Sequence, residues 1–141
     1  MSGIDKEYDA ISAAYEQVSR VPFCQLERQL VAHGLSDCKG KSVLDLGGGV
    51  GIHARKALDL GAKNVDIVDI SPGMLRDGKV LSSGSGHEDA IRWFVGDISG
   101  DLGELPLSKT YDVVLVGWTF DHAETDEQLE GMWRNVSYQT D

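Results

Sequence analysis

At 141 residues the chain has room for one domain, and its 41% hydrophobic and 26% charged content is ordinary for a globular protein burying about two thirds of its unfolded surface. The 23 acidic against 13 basic residues leave a formal charge of −10, which argues against nucleic acid and other polyanions as partners. The opening MSGIDKEYDA lacks the basic start and apolar core of a signal peptide, and no apolar run nears the roughly 20 residues of a membrane helix. Cys24 and Cys38 stand apart, outside any CxxC, so reduced thiols, a cytoplasmic location and no membrane partner are expected.

Ile4, Tyr8, Ile11, Tyr15 and Val18 recur at alternating steps of four and three, which predicts a helix over 4–19 with one apolar stripe. Pro22 resets the chain, and Phe23, Leu26 and Leu30 mark a second helix that Gly34 can cap. A polar loop (35–41) leads to a short apolar strand over 42–46 that carries one carboxylate, Asp45, and runs straight into Gly47, Gly48, Gly49 and Gly51. A helix follows at once from Ile52 to Leu60, with Gly61 as its stop. Strand, glycine turn and helix together let a backbone approach a nucleotide closely, with the first amides of the helix facing it. The dinucleotide fingerprint needs a small residue where this chain has Ile52; the spacing that fits is Asp45-x-Gly47-x-Gly49-x-Gly51.

The second strand is expected over 64–70. Asp69 sits near its end, 18 positions past Gly51, close to the offset at which an acidic side chain reaches a ribose; capping a helix or facing solvent is the alternative. Asp66 points to the opposite face and reads as a solvated strand residue. Ser71-Pro72 opens a helix containing Met74, and 82–89 is a loop. A third strand over 91–96 meets Asp97 and Ile98, which otherwise read as an ordinary turn. A fourth, Tyr111 to Gly117, is a continuous apolar run of the kind buried on both sheet faces. Trp118, Thr119, Phe120, Asp121 and His122 follow at its carboxyl end, the edge at which open α/β sheets bind ligands. Thr125-x-x-Gln128 resembles a capping box for a last helix carrying Leu129, Met132, Trp133 and Val136 on one face.

This ordered set, Asp45 to Gly51, then Asp69, then Phe94-Val-Gly-Asp97-Ile98, resembles the class I S-adenosylmethionine-dependent methyltransferases, most closely their small-molecule branch. The resemblance implies a Rossmann-like three-layer αβα sandwich with a parallel sheet of order 3-2-1-4. Residues 1–40 would be an N-terminal helical cap, and 41–141 an S-adenosyl-L-methionine-binding domain incomplete at its C-terminus. It implies cofactor contacts from Asp45, Gly47, Gly48, Gly49 and Gly51, from Asp69 on the ribose, and from Ile70 and Met74 around the adenine. Asp97 would accept from the adenine amino group, and the Ile98 amide would meet a ring nitrogen. Gly117 and Trp118 line the same edge, and Tyr8 or Tyr15 would touch the methionyl end from a lid helix.

In-line methyl transfer asks the protein mainly to bind, orient and exclude water; a base serves only an acceptor such as a hydroxyl, and His122 is the best-placed candidate. The histidines and cysteines have no metal-ligand spacing, so no metal is expected. The family's sheet has seven strands and four are present, which points to a fragment of a longer enzyme or to a second copy or partner chain covering the fourth strand's edge. A cofactor-binding fragment without turnover and, more remotely, a nicotinamide-dependent oxidoreductase are the rival readings. The identity of the acceptor is not legible.

Overall fold

The computed structural model describes residues 21–140; the helix expected over 4–19, with Tyr8 and Tyr15, lies outside the described residues. Eight elements follow in order: α1 (Pro22–Gly34), β1 (Ser42–Leu46), α2 (Ile52–Asp59), β2 (Asn64–Asp69), α3 (Pro72–Ser82), β3 (Ile91–Val95), β4 (Val113–Val116) and α4 (Asp126–Gln139), with 3-10 turns at Glu88–Ala90 and Phe120–His122. All strand pairs are parallel and the order is β3-β2-β1-β4, as the resemblance implied.

Strand alternation divides the core in two. Val43, Val65 and Ile67 join Ala54, Ala57, Leu58 and Leu75 on the face covered by α1, α2 and α3. Leu44, Leu46 and Val68 join Ile98, Leu102, Tyr111 and Met132 on the face covered by α4 and the loop after β3. The same alternation sets Asp45 and Asp69 on the first face and Asp66 on the second.

Several local signals behave as expected. Ser71 Oγ accepts from the Met74 amide at 3.2 Å and so caps α3 behind Pro72. Gly61, with φ of 97°, ends the turn after α2. Thr125 Oγ1 accepts from the Gln128 amide at 3.2 Å; in return Gln128 Oε1 accepts from the Glu124 amide, at 2.6 Å, in place of that of Thr125.

Three expectations are corrected. Gly34 does not cap α1: it is the last helical residue, and the turn closes when the Leu35 amide donates to Val31 O at 2.9 Å, Leu35 having φ of −91°. β4 is not buried on both faces; its four residues are all half-buried, because among the described residues it pairs only with β1 and lies at the sheet edge. Outside it the chain returns after α4, where Tyr111 bridges Thr140 and its amide donates to Gln139 O at 2.8 Å.

The third correction is Asp66, which is 1% exposed and not solvated. The register sets it directly beside Arg92 of β3, whose Nε donates to Oδ1 at 2.8 Å and whose Nη2 donates to Oδ2. Tyr111 Oη donates to the same Oδ2, and burial together with that bond pushes the tyrosine pKa up to about 12. Three segments are thereby fastened to one carboxylate beneath the second face.

Candidate functional site

β1 and β2 end side by side, and each delivers a carboxylate to the glycine turn. The turn is held by the Gly47 amide, which donates to Val68 O at 2.7 Å. Gly47 has φ of 78°, and a Cβ there would fall 2.3 Å from Thr119 Oγ1, so only glycine fits between the two chain segments. Asp69 is pinned by two amides: Oδ2 accepts from Gly49 N and Oδ1 from Ser71 N, both at 2.9 Å. It therefore fixes the distance between the glycine turn and the start of α3.

Asp45 differs. It is 2% exposed, and its Oδ2 has no hydrogen-bond partner among the described residues. Burial, followed by the charge of Asp69, raises its pKa from 3.8 to about 7. An orphaned carboxylate oxygen of this kind is costly unless a cation or N–H donor meets it. A Cβ on Gly48 would lie 2.7 Å from that oxygen, so the absence of a side chain there keeps it open.

These groups share one cleft across the carboxyl ends of the strands. Asp45, Gly47, Gly48, Gly49, Asp69, Ile70, Met74, Asp97, Ile98, Gly117, Trp118 and His122 all line it. Gly51 does not line it: with φ of 81°, it turns toward the Trp93 ring, which a Cβ would meet at 2.8 Å, and so serves packing of the first face. On one side Asp97 Oδ1 accepts from Ser99 N at 2.9 Å and Ser99 Oγ at 2.6 Å, a tight turn that orients its carboxylate. On the other, Trp118 has φ of 54°, the only positive value at a non-glycine among the described residues; its ring lies 5.6 Å from Phe23 of α1.

Sequence reasoning left two features of this cleft unassigned. Thr119 Oγ1 donates within reach of Gly117 O at 2.9 Å and Leu46 O at 3.2 Å, fixing the segment after β4 onto the glycine turn. His53, in the first turn of α2, meets Glu27 of α1 at 3.0 Å, and both line the cleft. Neither carries a motif; Thr119 was legible only as a residue at the carboxyl edge, and the His53–Glu27 pair joins elements 26 residues apart. Among the described residues no group of three His, Cys, Asp or Glu side chains is placed to hold a metal, and no helix is long and apolar enough to cross a membrane.

The model of a methyltransferase domain matches residues 43–138. The malonyl-[acyl-carrier protein] O-methyltransferase of Halalkalibacterium halodurans is 27% identical over 135 residues, covering 89% of this chain and 49% of that protein. The ribosomal protein L11 methyltransferase of Actinobacillus succinogenes is 39% identical over 88 residues, covering 55% of this chain and 30% of that protein. The chain thus spans half or less of these relatives' length. Among solved structures, a DhpI–SAH complex superposes with a TM-score of 0.73 at 20% identity, over 96% of this chain and 61% of that one, which speaks for the fold alone.

Proposed function

The chain belongs to the methyltransferase-domain family, the class I S-adenosylmethionine-dependent enzymes, and on that premise we propose that it binds S-adenosyl-L-methionine in this cleft and passes the methyl group to a small-molecule acceptor in the cytoplasm. The observation that carries the reading is the pair of carboxylates at neighbouring strand ends, one pinned to amides and one orphaned, around a turn with no room for side chains.

When bound, the cofactor supplies an electrophilic methyl carbon on a sulfonium, so that the acceptor's lone pair forms the new bond while the carbon–sulfur pair leaves with the thioether. The protein's share is placement. Asp69 receives the ribose hydroxyls, a carboxylate having about four lone-pair sites. Asp45 Oδ2 receives a cationic or N–H group of the ligand, which relieves the cost of its burial. Asp97 and the Ile98 amide take the purine edge, and Met74 and Ile70 its faces. α1 is part of the cap, with Phe23 against Trp118 narrowing the mouth, while residues 41–141 hold the cofactor. His122, on the turn after β4, takes the proton when the acceptor is a hydroxyl.

A small acceptor is supported by the charge of −10 and by Glu27 and Glu124 on the cleft, which disfavour a polyanion. Calorimetry with S-adenosylhomocysteine and with NAD tests the cofactor: binding of the first and not the second is expected, and the reverse refutes it. A radiolabelled methyl-transfer assay over a panel of small hydroxyl, amine and thiol acceptors, run on this chain and on a longer one, then tests turnover. His122→Ala should lower the rate on hydroxyl acceptors while leaving S-adenosylhomocysteine affinity unchanged.

A further inference from the structure

We infer that α4 governs the purine end of the cleft from behind: Asn135 and Gly131 seat the loop 97–100, and through it they set the preference for an amino-substituted purine. The inference rests on the cofactor reading above, and it concerns residues that face away from the ligand.

The loop starts where β3 ends at Val95 and presents Asp97 and Ile98 to the cleft. Its internal bonds run only between Asp97, Ser99 and Gly100: Ser99 N and Oγ to Asp97 Oδ1, and Gly100 N to Asp97 O at 3.0 Å. Those bonds shape the turn; the Ile98 side chain, 6% exposed, seats it in the core of the second face, and its backbone is held by Asn135. Its Nδ2 donates to Ile98 O and to Gly100 O, each at 2.8 Å, so both hydrogens of one side-chain amide bracket Ser99. Asn135 is itself buried, at 7% exposure, and is one of few buried polar residues outside the strands.

One helical turn earlier on the same side of α4 is Gly131, at the i, i+4 spacing that aligns two residues on a face. A Cβ at Gly131 would stand 1.9 Å from Ser99 O and 2.8 Å from Ser99 C, so the loop backbone lies directly on the helix backbone. Met132, the next residue, is 5% exposed and lines the cleft itself. Helix α4 therefore both backs and grips the segment that carries the purine contacts.

Rigidity here has a chemical consequence. A carboxylate and an amide N–H in fixed relation match an amino donor beside a ring-nitrogen acceptor. A 6-oxo purine offers the opposite order, an acceptor beside an N–H. A site built to hydrogen-bond one pattern rejects the other strongly only while its groups cannot shift to suit. Asn135 is thus a positioning residue for base discrimination.

The test is calorimetry of S-adenosylhomocysteine and S-inosylhomocysteine on the wild-type chain and on Asn135→Ala, Asn135→Asp, Asn135→Ser and Gly131→Ala, with Tm measured for each. The wild type should prefer the adenosyl compound. Asn135→Ala and Asn135→Asp, which lack the donor pair, should lose about tenfold in adenosyl affinity and narrow the adenosyl-to-inosyl ratio. Asn135→Ser, with one donor, should fall between, and it carries the test if the alanine variant does not fold. Gly131→Ala, which pushes the loop instead of releasing it, should also narrow the ratio. A fall in Tm with an unchanged ratio across the variants overturns the inference, because a merely structural role weakens both nucleosides alike. Failure of the wild type to bind S-adenosylhomocysteine at all sinks the cofactor reading and this inference together.

Discussion

Asp45 and Asp66 lie on neighbouring strands and are equally removed from water, at 2% and 1% exposure, yet the molecule treats them oppositely. Asp66 is saturated: Arg92 and Tyr111 supply its donors from two other segments. Asp45 keeps an oxygen without a partner among the described residues and a carboxyl pKa lifted to about 7. Burial alone therefore does not tell how a carboxylate is used. The distinction lies in whether the fold completes the hydrogen bonds or leaves one open toward a cleft.

The most severe way to probe this contrast is Asp66→Ala. It leaves the Tyr111 hydroxyl buried without its acceptor, while the Arg92 side chain, 47% exposed, can rehydrate, so a loss of about 3 kcal/mol in urea unfolding is expected. S-adenosylhomocysteine affinity of the folded fraction should hold; a large loss there would erase the division of labour between the two faces. Asp69→Ala should do the reverse: about a 100-fold fall in S-adenosylhomocysteine affinity by calorimetry, since the acceptor of the Gly49 and Ser71 amides and, on the proposed reading, of the ribose hydroxyls disappears.

Asp45→Asn reads out through pH. With a folded pKa of about 7 against an ordinary 3.8, the native state holds a proton that the unfolded chain has lost, so this group erodes stability as pH rises from about 4 to about 7 and adds no further change above. The asparagine variant should show a flatter stability profile across that window, together with weaker S-adenosylhomocysteine binding. Parallel profiles for variant and wild type would mean that Asp45 is not the strained member of the pair. The mildest probe is Tyr111→Phe, which removes one of the three donors to Asp66 and should cost about 1 kcal/mol in urea unfolding without touching affinity.

The expectations that held are those whose cause is local. A hydroxyl at Ser71 before Pro72, or at Thr125 before Gln128, finds its amide three residues on whatever the rest of the chain does. Alternation along β2 put Asp66 on the face opposite Asp69. The errors concern what stands across a gap in sequence. Asp66 reads as solvated until β3 sets Arg92 beside it, 26 residues on. β4 reads as buried on both faces, although the implied order already sets it at the end of the sheet, and its residues are only half-buried there.

By itself, then, the sequence determined the order of strands and helices, the glycine turn and the two carboxylates flanking it, because φ preferences, side-chain period and caps act within a few residues. Only the tertiary structure decided which carboxylate is satisfied and which is left open among the described residues, that Thr119 closes over Gly47, and that Asn135 of the last helix holds the backbone of the loop after β3. Those outcomes depend on donors and acceptors brought together from segments tens of residues apart, a proximity that no local pattern encodes.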